Sequence, residues 1–397
     1  MSAATSDPLL EAERAMRGVY LVFIGSGFGF ASWASRIPQV RAELGLTPGE
    51  LGIVLLAIAV GSLLALPTAG LVVHRLGAAR TIVVMSILTA LGIAVAGVGV
   101  LVGVAPVAIG LGVMGFGNGA WDVAMNVEGA AVEARLGRTI MSRFHAGFSV
   151  GTVLGALVGA AMNVLRVPVT VHLLAVAVLL AVAMPLATRG FLPAGAQQDG
   201  DQVGERRHPL RAWLEPRTLL IGLFVLTMAF AEGTANDWLG VAAIDGYGAS
   251  AALGSLAYGV FVASMTVGRW YGSAILDRFE RVPVLRVSAA TALVGLLIVV
   301  SGANLAVAMV GMVLWGLGTA LGFPVGMSAA ADDPRHAAGR VSVVATIGYV
   351  AFLAGPPLIG ILGDQVGVLR ALSATAGLLA VGLMVAGATR PIPAAAD

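Results

Sequence analysis

The chain has 397 residues, of which 58% are hydrophobic and 11% charged, and its mean hydropathy is +0.94. A soluble domain carries about 25% charged residues, so this composition excludes a water-borne fold and reads as an all-α integral membrane protein. Cysteine is absent, which excludes disulfides, thiolate metal sites and cysteine nucleophiles; the formal charge of +2 matters less than where the 23 basic residues, all arginine, fall.

A spanning helix needs about 20 mostly apolar residues, and only helices or closed barrels satisfy the backbone in lipid. Twelve segments qualify: 18–38, 48–73, 81–100, 104–131, 142–165, 168–188, 218–241, 251–276, 283–302, 304–330, 339–362 and 368–389. The residues before the first (Asp7, Glu11, Glu13, Arg14, Arg17) mix both charges, and the run after them is of spanning length, unlike a cleaved signal peptide. Six spans precede and six follow the polar stretch QQDGDQVGERRHP. This predicts an N-terminal half at 1–188, a linker at 189–217 and a C-terminal half at 218–397. With both termini inside, eighteen arginines fall on the cytoplasmic side, against Arg36, Arg41, Arg166 and Arg370 outside and Arg269 within a span. That asymmetry is the expected one for basic residues at a membrane.

The two halves repeat. Gly70–Arg80 (GLVVHRLGAAR) and Ser273–Arg281 (SAILDRFER) are short basic turns with His74 and Asp277 in equivalent places, 203 residues apart. Gly137-Arg138 recurs as Gly339-Arg340, and Met114-Gly-Phe-Gly-Asn118 as Trp315-Gly-Leu-Gly-Thr319. A fixed offset in an apolar chain is the pattern of transporters built from two related halves with the solute site where they meet. In the fifth span Gly147, Gly151, Gly155 and Gly159 form a stripe that predicts close helix packing. Gly322-Phe-Pro324, Gly355-Pro356-Pro357 and Gly360 predict breaks in the tenth and eleventh spans.

The basic turns resemble the signature of the major facilitator superfamily: Gly70, Arg75, Gly77 and Arg80 match, while His74 stands where an acid is usual. The second copy keeps Asp277 and Arg278. Further runs resemble the branch of that superfamily around the membrane protein MosC, namely Trp33-Ala-Ser-Arg36-Ile-Pro38, Trp121-Asp122-Val-Ala-Met-Asn126-Val-Glu128-Gly129, Arg143-Phe-His145-Ala-Gly-Phe-Ser149 and Glu232-Gly-Thr-Ala-Asn236-Asp237-Trp238. The resemblance implies twelve transmembrane helices in two pseudo-symmetric six-helix halves. It also implies a cytoplasmic gate formed by Gly70, His74, Arg75, Gly77, Arg80, Asp277 and Arg278, to which Arg138, Arg340 and His145 are added. The signatures of drug/proton antiporters fit poorly, since Val113 is apolar where an arginine is expected and Gly151-Thr152 stands in place of Gly-Pro.

Ionisable groups inside the hydrocarbon cost about 2.5 kcal/mol or more each, so every one is a functional candidate. Asn118, Asp122 and Asn126 recur every four residues on the fourth span and share one face. Glu232, Asn236 and Asp237 lie on the seventh. Proton coupling needs a carboxylate whose proton affinity follows conformation; burial raises that affinity and a nearby arginine lowers it. No arginine is near Asp122 or Glu232 in sequence, so these two are the expected proton or substrate sites, with Asn118, Asn126 and Asn236 beside them. Glu128, near a helix end, reads first as structural. Arg36 and Asp237, near the outer ends of the first and seventh spans, are an expected outer-gate ion pair. Phe30, Trp33, Trp121, Trp238, Trp315 and Tyr349 are expected cavity aromatics. His172, His208 and His336 have no metal-ligand spacing, and nothing resembles a nucleotide-binding loop, so neither a metal nor another cofactor is expected.

These readings point to a secondary transporter of a small polar organic solute, sugar- or inositol-like. It is expected to be proton-coupled and monomeric in the cytoplasmic (inner) membrane of a bacterium, with no nucleic-acid partner. The alternative within transport is efflux of amphipathic drugs by proton antiport. A membrane enzyme would need a convergent catalytic cluster, and a sensor would need a soluble output domain; the sequence carries neither.

Overall fold

The computed structural model describes residues 8–137, 140–192, 209–333 and 336–392, and its regular elements there are all helical. They are α1 (Pro8–Ala34), α2 (Ile37–Leu44), α3 (Pro48–Leu76), α4 (Ala78–Gly99), α5 (Val104–Leu136), α6 (Met141–Val164), α7 (Val169–Ala187), α8 (Pro216–Tyr247), α9 (Ala251–Arg278), α10 (Arg281–Ser301), α11 (Leu305–Thr319), α12 (Gly322–Ala330), α13 (Ala337–Val366), α14 (Val368–Ala371) and α15 (Ser373–Val385). Twelve stretches are long and apolar enough to cross a membrane, one for each expected span. Of the expected linker, 193–208 lies outside the described residues.

Local chemistry sets the helix ends. Thr47 and Glu50 cap α3 reciprocally, Thr47 Oγ1 accepting from the Glu50 amide at 3.2 Å and Glu50 Oε2 from the Thr47 amide at 2.9 Å. Ser250 and Asn304 cap α9 and α11 through the amides of Leu253 and Val307. At the end of α5, Gly137 takes the left-handed conformation (φ 62°) that a side chain would strain. The expected break in the tenth span is present: α11 ends at Thr319 and α12 begins at Gly322. The eleventh span differs from expectation, because α13 runs unbroken through Pro356 and Pro357. In a packed spanning helix, neighbours and small local adjustments satisfy the carbonyls a proline frees.

The chain folds as two compact units, one of residues 1–45 and 54–202, the other of 46–53 and 203–397. In the first, the glycine stripe of α6 meets the backbone of α1. A Cβ on Gly151 would strike the Ile24 carbonyl, one on Gly155 the Phe28 carbonyl, and Gly27 of α1 likewise faces the Phe148 carbonyl. Packing is what that stripe does here. Gly92 and Gly110 bring α4 and α5 together in the same way, Gly92 lying against the Met114 nitrogen.

The second unit repeats this with the offset seen in the sequence. Gly295 and Gly311 join α10 to α11, and Gly295 lies against the Trp315 nitrogen. Gly115 faces the Ile58 carbonyl in the first unit as Gly316 faces the Phe261 carbonyl in the second. The start of α3 packs with this unit: the Gly49 amide donates to Asp364 Oδ1 at 3.1 Å.

Candidate functional site

In the first unit the asparagine–aspartate face of α5 forms a polar strip. Ser26 Oγ of α1 donates to Asn118 Oδ1 at 3.0 Å, and Asn126 Nδ2 donates to the Asp122 carbonyl oxygen at 2.8 Å and to Asp122 Oδ1 at 3.4 Å. All three α5 residues are half-buried. Gly119, one residue on from Asn118, lets the backbone of Ser62 in α3 come close. No cation bonds to Asp122 among the described residues; its one side-chain partner is an amide. Glu128, two turns further, is fully buried and accepts from the Leu192 amide at 2.8 Å, which ties down the chain after α7 and fits the structural reading.

The second unit differs. Arg269 of α9 sets Nη2 2.9 Å from both oxygens of Glu232 on α8, and its Nε donates to the Ala320 carbonyl oxygen at 3.4 Å. Glu232 therefore has an arginine beside it, contrary to the expectation from sequence, because a neighbouring helix supplies one. The signal was available: Arg269 is the single arginine that the orientation places inside a span. Asn236 and Asp237 are half-buried on the same helix. Tyr258 of α9, which the sequence did not single out, is buried with its hydroxyl unpartnered.

Arg36 is buried, and its guanidinium stays within its own unit. Nη1 donates to Asn163 Oδ1 and Nη2 to the Val167 carbonyl oxygen, each at 2.6 Å. The expected pairing with Asp237 gains no support from these partners. Trp33, Trp121, Trp238 and Trp315 are fully buried, and none presents ring surface to solvent. Phe30 and Tyr349 keep partial exposure, and the Tyr349 ring lies 6.3 Å from that of Phe352.

The residues expected at the cytoplasmic gate divide. His74, Arg75, Arg80, Asp277 and Arg278 are exposed; Gly77 (φ 79°) starts α4, and at Gly70 an added Cβ would meet nothing within 4 Å. His145 is exposed, its ring edge-on to Phe23 at 5.2 Å. Arg138 lies outside the described residues. In place of its contacts the structure shows Glu133 Oε2 accepting from the amides of Ile140 and Met141 at 2.6 Å each, a carboxylate at the start of α6. Arg340 belongs to a charge cluster inside the second unit. It donates to Glu215 Oε2 at 2.6 Å and lies 3.4 Å from Asp333, while Asp332 bridges Arg217 and Arg281 at 2.8 and 2.9 Å. The Arg340 hydrogen bond holds the Glu215 carboxyl below its ordinary range, with Thr218 adding to the effect.

Twelve spans, a repeat in sequence and packing, and charged turns at matching places define the molecule. A family model described as Major Facilitator Superfamily matches residues 19–356. The chain belongs to that superfamily. It is 33% identical to y4wD, an uncharacterized transporter of Sinorhizobium fredii, over 88% of this chain and 91% of that protein. It is 29% identical to the membrane protein MosC of Rhizobium meliloti, over 92% of this chain and 86% of MosC. The solved nucleoside transporter NupG shares the fold at 13% identity, with a TM-score of 0.74 over 95% of this chain and 98% of NupG. This superfamily member is therefore a multi-pass transporter, and not an enzyme.

Proposed function

We propose that this protein is a secondary active transporter that moves a small polar organic solute, sugar- or inositol-like, by alternating access and proton coupling. In this reading it works as a monomer in the bacterial cytoplasmic membrane, with both termini in the cytoplasm. The observation that carries the reading is the α5 strip: Asp122, half-buried within a span, shares a face with Asn118 and Asn126 and has no cation bonded to it among the described residues. An intramembrane carboxylate held by an amide alone can take a proton in one state and release it in another. The amides and Ser26 beside it are groups that bind hydroxyls, and NupG, of the same fold, is by its title a nucleoside transporter.

Glu232 enters this reading as one half of the Arg269 pair. Asp122, which has no cation bonded to it among the described residues, is the primary coupling residue.

The test is uptake into liposomes of inositols, sugars and nucleosides, each with and without an inward-acidifying or outward-acidifying gradient. The reading expects one group of hydroxylated solutes to accumulate with the gradient, and Asp122→Asn to remove that dependence. Uptake indifferent to the gradient, together with a fully active Asp122→Asn protein, rejects proton coupling at this residue.

A further inference from the structure

Arg36 carries a buried charge that nothing bonded to it neutralises. The residue is 2% exposed, and both acceptors at its guanidinium are neutral: Asn163 Oδ1 on Nη1 and the Val167 carbonyl oxygen on Nη2, each at 2.6 Å. Its third donor atom, Nε, is buried and makes no hydrogen bond. An arginine does not shed its proton inside a protein, so burial leaves the charge in place. Buried charges are paired as a rule, and no carboxylate is bonded to this one among the described residues. Glu43, seven residues on, acts on Arg36 through its charge, but it is exposed and does not bond to it.

Two further side chains at this end of the first unit have polar atoms without partners. His172 is 3% exposed, and neither ring nitrogen makes a hydrogen bond. Gln39 is half-buried, and its amide nitrogen and oxygen are both buried and unbonded. The main chain brings both residues to Arg36. The Gln39 amide donates to the Arg36 carbonyl oxygen at 3.1 Å, one turn along α2, a spacing that sets Cβ atoms about 5–6 Å apart. On the other side Arg36 holds the Val167 carbonyl, and the next carbonyl, that of Pro168, accepts from the His172 amide at 3.1 Å. The Arg36 charge reaches the His172 ring. Arg166 sets this turn: its left-handed backbone (φ 54°) closes α6, and the Val167 amide returns to the Met162 carbonyl oxygen at 2.9 Å. Buried polar atoms with no partner are rare and ask for an explanation, and here they adjoin an unmatched cation.

The chemistry of these groups narrows what fits. A water serves the donors and leaves the charge. A metal cation adds to the charge. A divalent oxyanion such as sulfate brings a second negative charge against one buried guanidinium. A monovalent anion brings one negative charge and only accepts. Three unpartnered donors match it: Arg36 Nε, the Gln39 amide and the N–H that a histidine ring keeps in both its neutral and its charged form. We propose that Arg36, Gln39 and His172 form a buried site for a small monovalent inorganic anion of the chloride type. The Gln39 oxygen and the second ring nitrogen then take a water beside it. The site depends neither on the solute carried nor on proton coupling at Asp122. Its occupant neutralises the charge that ties α1 and α2 to the turn between α6 and α7.

The probe is sodium chloride, exchanged for sodium gluconate at constant ionic strength while melting of the full-length protein in detergent is followed. The expected result is a melting temperature that rises with chloride and saturates, as binding to the folded state requires. Bromide should replace chloride. Arg36→Gln should abolish the response. Gln39→Leu and His172→Phe should each raise the half-saturating chloride concentration roughly threefold to tenfold, the effect of losing one hydrogen bond. Should Arg36→Gln fail to give a monodisperse protein, these two variants carry the comparison, and broadening of the chloride NMR signal by the protein reads binding directly.

Both salts also act on stability through the whole protein surface, and the variants separate that effect from the site. A melting temperature that follows ionic strength alone leaves water as the occupant and overturns the anion site. A chloride response of the same size and midpoint in the variants as in the unsubstituted protein overturns it too.

Discussion

Arg269 places one nitrogen 2.9 Å from each oxygen of Glu232 and turns another toward the carbonyl of Ala320. That carbonyl belongs to the turn between α11 and α12, where the helix ladder is interrupted. A single guanidinium thus joins α8, α9 and the break in the tenth span. Removing one partner of a fully buried pair strands the other charge and costs about 3–5 kcal/mol, less where the pair is partly exposed, while removing both costs less. Arg269→Gln is therefore expected to destabilise by about 2 kcal/mol or more, and Glu232→Gln with Arg269→Gln to recover part of the loss. A double-mutant cycle on detergent unfolding measures this; a double variant no better than Arg269→Gln alone would remove the charge pair as the cause.

Asp122 and transport can be separated by the assay chosen. If Asp122 carries the coupled proton, Asp122→Asn should lose gradient-driven accumulation by roughly tenfold or more, while exchange of labelled for unlabelled solute across the same vesicles continues. Loss of both activities in equal measure would make Asp122 a general structural or binding residue.

The glycines predict opposite outcomes at two places. Gly151 lies against the Ile24 carbonyl of α1, whereas an added Cβ at Gly70 meets nothing within 4 Å. Gly151→Ala should destabilise by about 1–3 kcal/mol, the usual cost of overpacking. Gly70→Ala should leave the folded protein unchanged within about 0.5 kcal/mol. Melting in detergent reads both, and a tolerant Gly151 would mean that α1 and α6 can part.

The Glu215–Arg340 contact predicts a pH dependence with a definite sign. Its folded carboxyl titrates below the ordinary value of 4.5, first because of the Arg340 hydrogen bond. The stability it adds is fully present above the unfolded value, and it is lost as pH falls through the lower folded one. The melting-temperature gap between the protein and Glu215→Gln should hold steady from neutral pH to about 5 and close below about 4. A gap that widened on acidification would reverse the assignment.

Much of this architecture could be read from the chain. Apolar length located the twelve spans, and the 201–203 offset returned as matched glycine contacts at Gly92 and Gly295, and at Gly115 and Gly316. The Asp122 strip was legible too, since spacing by four puts residues on one face whatever the tertiary fold. Pairings between helices were not legible. Arg269 stood out as a lone intramembrane arginine, yet only the register of α9 against α8 brings it to Glu232. The place of the tryptophans was not legible for a related reason: a large apolar ring with one polar atom suits a core, a cavity wall or a lipid interface. The symmetry also breaks where the polar work is done. The 201 offset carries Asp122 to Phe323, and the 202 offset carries Glu232 back to Phe30, so each unit has its own acid and neither copies the other.

Two helix pairs at equivalent places in the repeat, α1–α6 and α8–α13, differ in what lies between them. Between α1 and α6 glycine faces main chain, while between α8 and α13 Gly222 faces Ile347, Gly348 faces Val225 and Gly233 faces Phe352. Side chains can change rotamer and take up a displacement; a backbone pressed on a backbone has no such reserve. The α1–α6 contact should therefore be the stiffer of these two and the α8–α13 contact the more yielding. Under applied pressure, or with a bulkier solute, strain should appear first in the rotamers of Ile347 and Phe352.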